Sequence, residues 1–253
     1  MTRAFLLALV GVALSGAADL PAQAPDATAA DPTVSTFSIL GFDPLTGEIG
    51  VAVQSRVFSV GNGVIWGKAG VGVVATQAVA NVGYGPRALA LLEEGADPQA
   101  VVRRLLDEDP DPEPEGWPKT GRQVAVMDGH GNVAAWTGPV APAWAGHRTA
   151  IDVSVQGNLL AGPDVLDAMV RAFHDTEGHL SLRLLAALEA AQAAGGDLRG
   201  MQSAAMLVVK EKGGPWLGND VQLRLQVDDN DRPLAELRRL VTLAAGERAA
   251  GRD

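Results

Sequence analysis

The sequence predicts an α+β fold, a four-layer αββα sandwich in which two antiparallel sheets pack face to face between layers of helices. The main observation is the order of the elements: strands, two helices, strands, two helices, strands and one helix. Strict alternation of strand and helix, which would indicate a doubly wound parallel sheet, is absent. The chain of 253 residues is 47% hydrophobic, enough for one large core.

The first residues have the layout of a secretory signal peptide. Arg3 precedes a short apolar run, residues 4–14, and the small residues 16–18 suit a signal peptidase. We therefore expect residues 1–18 to be a signal peptide. Residues 19–35, rich in Ala, Pro and Asp, are expected to be a flexible lead-in or a propeptide. An uncleaved membrane anchor is the alternative. The predicted location is periplasmic or secreted, with no membrane contact after processing.

The mature region opens with strands. Residues 36–42 and 48–55 are rich in β-formers, and the turn chemistry of Asp43-Pro-Leu-Thr-Gly47 closes them into a hairpin. Residues 70–78 form a third predicted strand. Its side chains are small enough to let another layer of the fold approach closely.

Two helices and a loop follow. Pro86 suits the first turn of one helix, which Gly95 ends, and Asp97 with Pro98 gives the N-cap and first position of the next. The acidic, proline-rich residues 107–115 have two interpretations. A solvated loop is favoured over a calcium site, because the alternating ligands around a central glycine are missing.

The middle of the chain predicts a hairpin from residues 123–127 and 132–137, with Asp-Gly-His-Gly at its turn, and a further strand over residues 150–156. Residues 163–173 and 180–194 predict a second pair of helices. The apolar helix 180–194 has two interpretations, a core-facing helix, which we favour, or an interface in a homo-oligomer.

The last elements are strands over residues 203–210 and 221–227 and a closing helix over 234–245. We expect one domain over residues 36–245. Residues 246–253 are predicted to be a polar tail.

Composition excludes several classes of function. A formal net charge of −10 disfavours nucleic acid and anionic membrane surfaces as partners. The chain has no cysteine, so disulfides, thiolate metal sites and a cysteine nucleophile are excluded. The histidines at positions 130, 147, 174 and 179 lack metal-ligand spacing, and no dinucleotide fingerprint is complete. We therefore expect neither a metal nor a cofactor.

Several distinctive segments follow one another along nearly the whole mature chain. They include Thr36-Phe-Ser-Ile, Gly50-Val-Ala-Val-Gln-Ser-Arg, Gly70-Val-Gly-Val-Val-Ala-Thr-Gln, Trp144-Ala-Gly-His and Gln156-Gly-Asn-Leu-Leu-Ala-Gly. In these segments the chain resembles a family catalogued as domain of unknown function 1028. The resemblance implies the fold of N-terminal nucleophile hydrolases, an αββα sandwich. It implies more about fold than about function, because what the family hydrolyses is not settled.

The resemblance also implies a specific chemistry. In such hydrolases an N-terminal Thr, Ser or Cys attacks an amide carbonyl, and its own α-amine, with an ordinary pKa of about 8, serves as the base. Thr36 is the candidate nucleophile, with an ordinary strand threonine as the alternative. Its amine would require cleavage between Ser35 and Thr36. Lys68 lies where relatives of this fold place an active-site lysine, although an exposed loop lysine explains it as well.

Further polar residues are candidates on the same resemblance. Gln54 and Ser55 fall where relatives carry an Asp-Ser pair, and the glutamine removes the expected acid. Asp197, Arg199 and Ser203 place acid, base and hydroxyl within one short segment, which predicts either a catalytic polar network or a loop ion pair beside a helix cap.

The candidate substrate-binding residues are Gln54, Ser55, Gln77, Asn81, His147 and Asn158. A lone histidine such as His147 is also a common structural hydrogen-bonding residue. The resulting hypothesis is an exported amidohydrolase that acts on a small amide or peptide. The alternative hypothesis is a non-catalytic binding or assembly module of the cell envelope on the same fold.

Overall fold

A computed structural model describes residues 36–250, with side chains to residue 247. The predicted signal peptide and lead-in, residues 1–35, and the last residues, 251–253, lie outside the described residues. The strands of the described part are β1 Thr36–Asp43, β2 Glu48–Ser55, β3 Ile65–Lys68, β4 Gly72–Ala78, β5 Arg122–Asp128, β6 Val133–Thr137, β7 Gly146–Ala150, β8 Val153–Asn158, β9 Ser203–Val209 and β10 Val221–Val227. Its helices are α1 Gly61–Val64, α2 Tyr84–Glu93, α3 Pro98–Asp107, α4 Asp164–Asp175, α5 Leu180–Ala193 and α6 Pro233–Ala250.

The strands form two antiparallel sheets. The large sheet has the order β10-β9-β2-β1-β8-β7, and the small sheet has the order β3-β4-β5-β6. Strands β1 and β2 therefore lie in the middle of the large sheet, and they pair with each other as the predicted hairpin requires. Strands β6 and β7 each form one edge of their sheet.

Alternation along the strands divides the core into layers, because successive side chains point to opposite faces. On β1, Phe37 and Ile39 belong to the apolar core beneath α4, α5 and α6. Leu40, on the other face, packs with Val73 and Ala125 of the small sheet. A third core joins the small sheet to α2 and α3. The predicted α+β fold, with two antiparallel sheets between helix layers, is confirmed.

Local signals account for several elements. The side chain of Asp97 accepts a hydrogen bond of 2.8 Å from the backbone N–H of Ala100, so it caps α3 as predicted. At Gly72 of β4, with φ +157°, a Cβ would lie 2.7 Å from a methyl group of Leu92 on α2. The small residues of this strand therefore allow the close approach that the sequence predicted.

Some boundaries differ from the prediction. The segment that holds α1 and β3 was not predicted, because elements of four residues are too short to show a period. The predicted strand over 150–156 corresponds to β8, and β7, which was not predicted, precedes it across a tight turn where Asp152 has φ 62°. Helix α6 continues beyond 245 to Ala250, so part of the predicted tail is helical.

The position of helix α5 bears on its two interpretations, a core-facing helix or an interface in a homo-oligomer. Its apolar residues, including Leu184, Leu188 and Ala191, are fully buried in the core under the large sheet. Burying apolar surface stabilises the fold by about 25 cal/mol per Å². Packing in the core therefore explains why this helix is apolar, without an interface between copies. The core-facing interpretation is the one that this position of the helix supports.

Candidate functional site

Four buried polar residues form a row across one end of the large sheet. Thr36 pairs in register with Ser55 on one side and with Asn158 on the other, and Ser55 pairs with Ser203. Residues directly opposite each other in antiparallel strands share a face, and all four side chains are fully buried. Since Leu40 lies on the same face as Thr36 and packs against the small sheet, this row faces the space between the sheets. We call these four residues the large-sheet row.

A second row faces the first from the small sheet. Gln77, Gln123 and Thr137 pair in register at the same end of β4, β5 and β6. Gln77 connects the two sheets, because Ser38 donates a hydrogen bond of 2.6 Å to its Oε1. We call Gln77, Gln123 and Thr137 the small-sheet row.

Thr36 is held at three points. Its Oγ1 lies 3.1 Å from Oγ of Ser55, and either hydroxyl can donate. Its carbonyl oxygen accepts hydrogen bonds from Nε2 of Gln77 at 3.3 Å and from Nδ2 of Asn158 at 3.5 Å. These contacts fix the backbone of Thr36 at the entrance of β1.

The amides of the two rows form a connected network. Oε1 of Gln123 accepts from Gln77 at 2.8 Å and from Asn158 at 3.2 Å. Gln156 donates a 2.6 Å hydrogen bond to the hydroxyl of Ser38. Burying an amide without hydrogen-bond partners costs about 1–3 kcal/mol of stability. The many hydrogen bonds between these amides therefore explain how the core accommodates them. Gln123 and Gln156 were not among the predicted site residues, although each is a polar residue within an apolar strand.

The backbone is strained next to this network. Ala78, directly after Gln77, has φ 62°, and Leu159, directly after Asn158, has φ 51°. A left-handed conformation costs a residue with a side chain of order 1–3 kcal/mol and is found preferentially at functional sites. The chain therefore bends sharply after both residues that hold the Thr36 carbonyl.

His147 lies at the open edge of the same end. Its Nδ1 is 2.9 Å from Oγ1 of Thr137, which in turn accepts a 2.9 Å hydrogen bond from Nε2 of Gln123. Burial, and secondarily the charge of Arg148, lower the pKa of His147. The residue lines two neighbouring cavities of about 400 and 530 Å³.

Asp197 and Arg199 lie beside the large-sheet row and bind the backbone. The buried carboxylate of Asp197 accepts from the backbone N–H of Arg199 at 2.8 Å and from that of Arg56 at 3.3 Å. The guanidinium of Arg199 lies 3.1 Å from the same carboxylate. The pair thus fixes the chain where it leaves β2, which agrees with the interpretation as a loop ion pair.

Ser203 belongs to the large-sheet row, and its hydroxyl also holds a loop. It donates to the carbonyl of Val57 and accepts a 3.1 Å hydrogen bond from the N–H of Val60. These bonds keep the segment after β2 folded over the end of the row.

Asn81 belongs to a buried ionic cluster next to Gln77. It donates to Asp109 at 3.3 Å, and Asp109 also accepts from Tyr84 at 2.7 Å and Arg122 at 3.1 Å. Burial alone raises the pKa of Asp109, but hydrogen bonds from Tyr84, the backbone N–H of Asp111, Asn81 and Arg122 outweigh it and lower the pKa to about 2. This cluster holds the loop that precedes β5.

Lys68 does not lie with the other candidates. It pairs in register with Gly72, at the end of β4 opposite to Gln77. Its side chain is half exposed and pairs with Glu93. The structure therefore contradicts the predicted position of Lys68 beside Thr36.

The structure also contradicts the predicted position of Gln54 in the site beside Ser55. It pairs in register with Phe37, which faces the helices, so its side chain points away from the large-sheet row. The residue is fully buried, and its amide has no hydrogen-bond partner among the described residues. Its neighbour Ser55 alone of the two contacts Thr36.

Within residues 36–247, no group of three His, Asp or Glu side chains has the arrangement of a metal site. Across the described helices, none combines the length and the apolar character that a bilayer span requires.

The fold and this end of the molecule define a class, an αββα sandwich with a buried hydroxyl and amide network between its sheets. A family model described as a family of unknown function, DUF1028, matches residues 36–237, and the chain belongs to that family. The crystal structure of protein SPO2555 from Silicibacter pomeroyi, to which the same family model is assigned, is 34% identical. The match covers 83% of this chain and 89% of that one, with a TM-score of 0.73. No curated protein matches the chain.

Proposed function

We propose that the protein is an exported amide hydrolase of the N-terminal nucleophile type, with Thr36 as the nucleophile. The observation that carries the proposal is the position of Thr36. It is the first residue of a central strand, and its hydroxyl lies between the two sheets within a buried polar network. A nucleophile in such a place is shielded from water and held in one orientation, which favours attack on a bound carbonyl.

The proposed reaction requires cleavage of the bond between Ser35 and Thr36. The new α-amine then accepts the proton of Oγ1 as the oxygen attacks the amide carbon, and the leaving amine takes that proton. Water hydrolyses the resulting ester and restores the hydroxyl. Ser55, at 3.1 Å from Oγ1, is placed to donate to the oxygen or to accept from it during these steps.

The amide network has a positioning role in this proposal. Gln77 and Asn158 bind the carbonyl of Thr36, so they orient the residue whose amine and hydroxyl must meet. Lys68 is too far along β4 to lower the pKa of the amine. Burial of Thr36 disfavours the charged form of its amine, so we expect an amine pKa below the ordinary value of about 8 and an amide hydrolysis rate that increases as the pH rises through that lowered pKa.

The substrate class in this proposal is a small amide or peptide, and the setting is the periplasm or the medium. Intact mass of the protein recovered from the producing cells tests the processing step. A mass that begins at Thr36 supports the proposal. A mass that begins near residue 19 leaves the amine unformed and favours the binding or assembly module on the same fold.

A panel of chromogenic amino-acid anilides then tests the chemistry of the processed protein. Thr36→Ser should retain hydrolysis, because it keeps the hydroxyl, and Thr36→Ala should abolish it. Full activity of Thr36→Ala on any anilide that is cleaved would exclude Thr36 as the nucleophile.

A further inference from the structure

Thr137 and His147 form a hydroxyl–imidazole pair that the Thr36 proposal does not use. Thr137 ends the edge strand of the small sheet, and His147 lies on the edge strand of the large sheet. Their Oγ1 and Nδ1 atoms are 2.9 Å apart, within the range of a nucleophile and its base. Both side chains line a cavity of about 530 Å³.

The surrounding hydrogen bonds limit the direction of this pair. Nε2 of Gln123 donates to the carbonyl oxygens of Gly146 at 3.0 Å and Gly157 at 2.9 Å, which accounts for both of its N–H groups. The same Nε2 lies 2.9 Å from Oγ1 of Thr137, and because an amide nitrogen cannot accept, the threonine oxygen shares one of these donations. The hydroxyl proton can then be donated to Nδ1 of His147 in the ring tautomer that carries its hydrogen on Nε2.

The donation from Gln123 also favours ionisation of the hydroxyl. A hydrogen bond donated to an oxygen stabilises its charged form. Thr137 therefore has a base on one side and a fixed donor on the other, the arrangement that nucleophilic attack requires.

The charges around His147 keep the ring available as a base. Arg148 follows it on β7 and pairs with Asp167 of α4 at 2.9 Å. Arg103 and Asp107 of α3 face it across the neighbouring cavity of about 400 Å³. Burial, and secondarily the charge of Arg148, lower the pKa of His147 below its ordinary value, which favours the neutral imidazole.

The walls of the cavity indicate the ligand. They are formed by residues 137–139, 141 and 143–148, most of which are glycine, alanine or proline, with Trp144 and Arg148 among the others. Such walls suit a small apolar acyl group. We propose that Thr137 and His147 form a second hydrolytic site, which cleaves esters of short-chain carboxylic acids.

The reaction balances with water as the co-reactant. Oγ1 of Thr137 bonds to the acyl carbon while its proton moves to Nδ1 of His147. The alcohol leaves with that proton, and an acyl ester of Thr137 remains. A water molecule then gives a proton to His147, attacks the ester and releases the acid, and the hydroxyl of Thr137 regains the proton.

The test uses the full chain with 4-nitrophenyl acetate and 4-nitrophenyl butyrate. We expect the His147→Asn and Thr137→Val variants to lower kcat/KM by about 100-fold or more, the usual contribution of a general base. Thr137→Ser should retain most of the activity, because it keeps the hydroxyl. Mass spectrometry with fragmentation should place the trapped acyl group on residue 137.

Two controls make the test decisive. His130→Asn removes an exposed imidazole from the β5–β6 turn and should leave the rate unchanged. A preparation that begins at Ser35 carries no amine on residue 36 and should hydrolyse both esters at the same rate, so failure of the Thr36 proposal does not affect this one. Equal rates for the His147, Thr137→Val and His130 variants, each with unchanged urea unfolding, would overturn the proposal, as would an acyl group on any other residue.

Discussion

Replacing Gln123 by leucine tests whether the buried amide network is an energetic part of the fold. The side chain is fully buried and is the point at which the two rows meet. Leucine has a similar volume but neither donates nor accepts, so packing changes little while the hydrogen bonds are lost.

The expected magnitude follows from the contacts. The two N–H groups of Gln123 are shared among three acceptors, on Thr137, Gly146 and Gly157, and at about 1 kcal/mol for each N–H their loss costs roughly 2 kcal/mol. Its Oε1 serves Gln77 and Asn158, which keep longer contacts to the Thr36 carbonyl and add roughly 1 kcal/mol together. Greater apolar burial by leucine offsets about 1 kcal/mol. The net loss is therefore about 2 kcal/mol of the free energy of unfolding.

Urea unfolding followed by tryptophan fluorescence measures this loss. With an m-value of roughly 2–3 kcal/mol/M, the midpoint should fall by about 1 M while m stays unchanged. Gln99→Leu, on the exposed face of α3, is the matched control and should change stability by less than about 0.5 kcal/mol. If both variants unfold at the same urea concentration, the network contributes no net stability and the reasoning is refuted.

Three further predictions concern other parts of the molecule. The pKa of Asp109 in the folded protein, about 2, lies below its ordinary value of 3.8, so its carboxylate stabilises the fold by about 2 kcal/mol above pH 4 and loses this effect as the pH falls toward 2. Asp109→Asn should therefore lower the free energy of unfolding at pH 7. In urea titrations at several pH values, the variant should also lose less stability than the unchanged protein between pH 4 and pH 2. Asp97→Ala should cost about 1 kcal/mol in the same assay at pH 7, since it removes the cap of α3, and no change would refute the capping role. Lys68→Met should change stability by less than about 1 kcal/mol, because the ion pair of Lys68 with Glu93 is exposed. It should also leave anilide hydrolysis intact; a large loss of hydrolysis would show that Lys68 takes part in the reaction.

The fold was predictable because its signals are local. The alternation of residues 48–55 and the turn before them define β2 without reference to the rest of the chain, and the cap at Asp97 marks the start of α3. The grouping of strands and helices then limits the architecture to few arrangements. Only the four-residue elements and the division of β7 from β8 required the tertiary structure.

The candidate site was predictable only in part. Thr36, Ser55, Asn158 and Ser203 do lie together, because each is found at the end of a strand of the large sheet. Lys68 was misplaced because the direction of β3 along β4 depends on a strand pairing that the sequence does not reveal.

The alternation of side chains along a strand could have shown that the adjacent residues Gln54 and Ser55 face opposite sides of the sheet. Since successive strand residues face opposite sides, only one of them can face the same layer as Thr36. The contacts of Gln123 and the pair Thr137–His147 are different, because they join strands of two sheets. Such contacts depend on how the sheets stack, which no short sequence pattern encodes.

The central claim is that an amine on Thr36 itself performs the chemistry. It is tested most directly by two preparations of the mature domain, one that begins at Thr36 and one that begins at Ser35, released from cleavable fusions. We expect anilide hydrolysis, with an acyl group trapped on residue 36, only in the chain that begins at Thr36. Equal hydrolysis by the two preparations would contradict it.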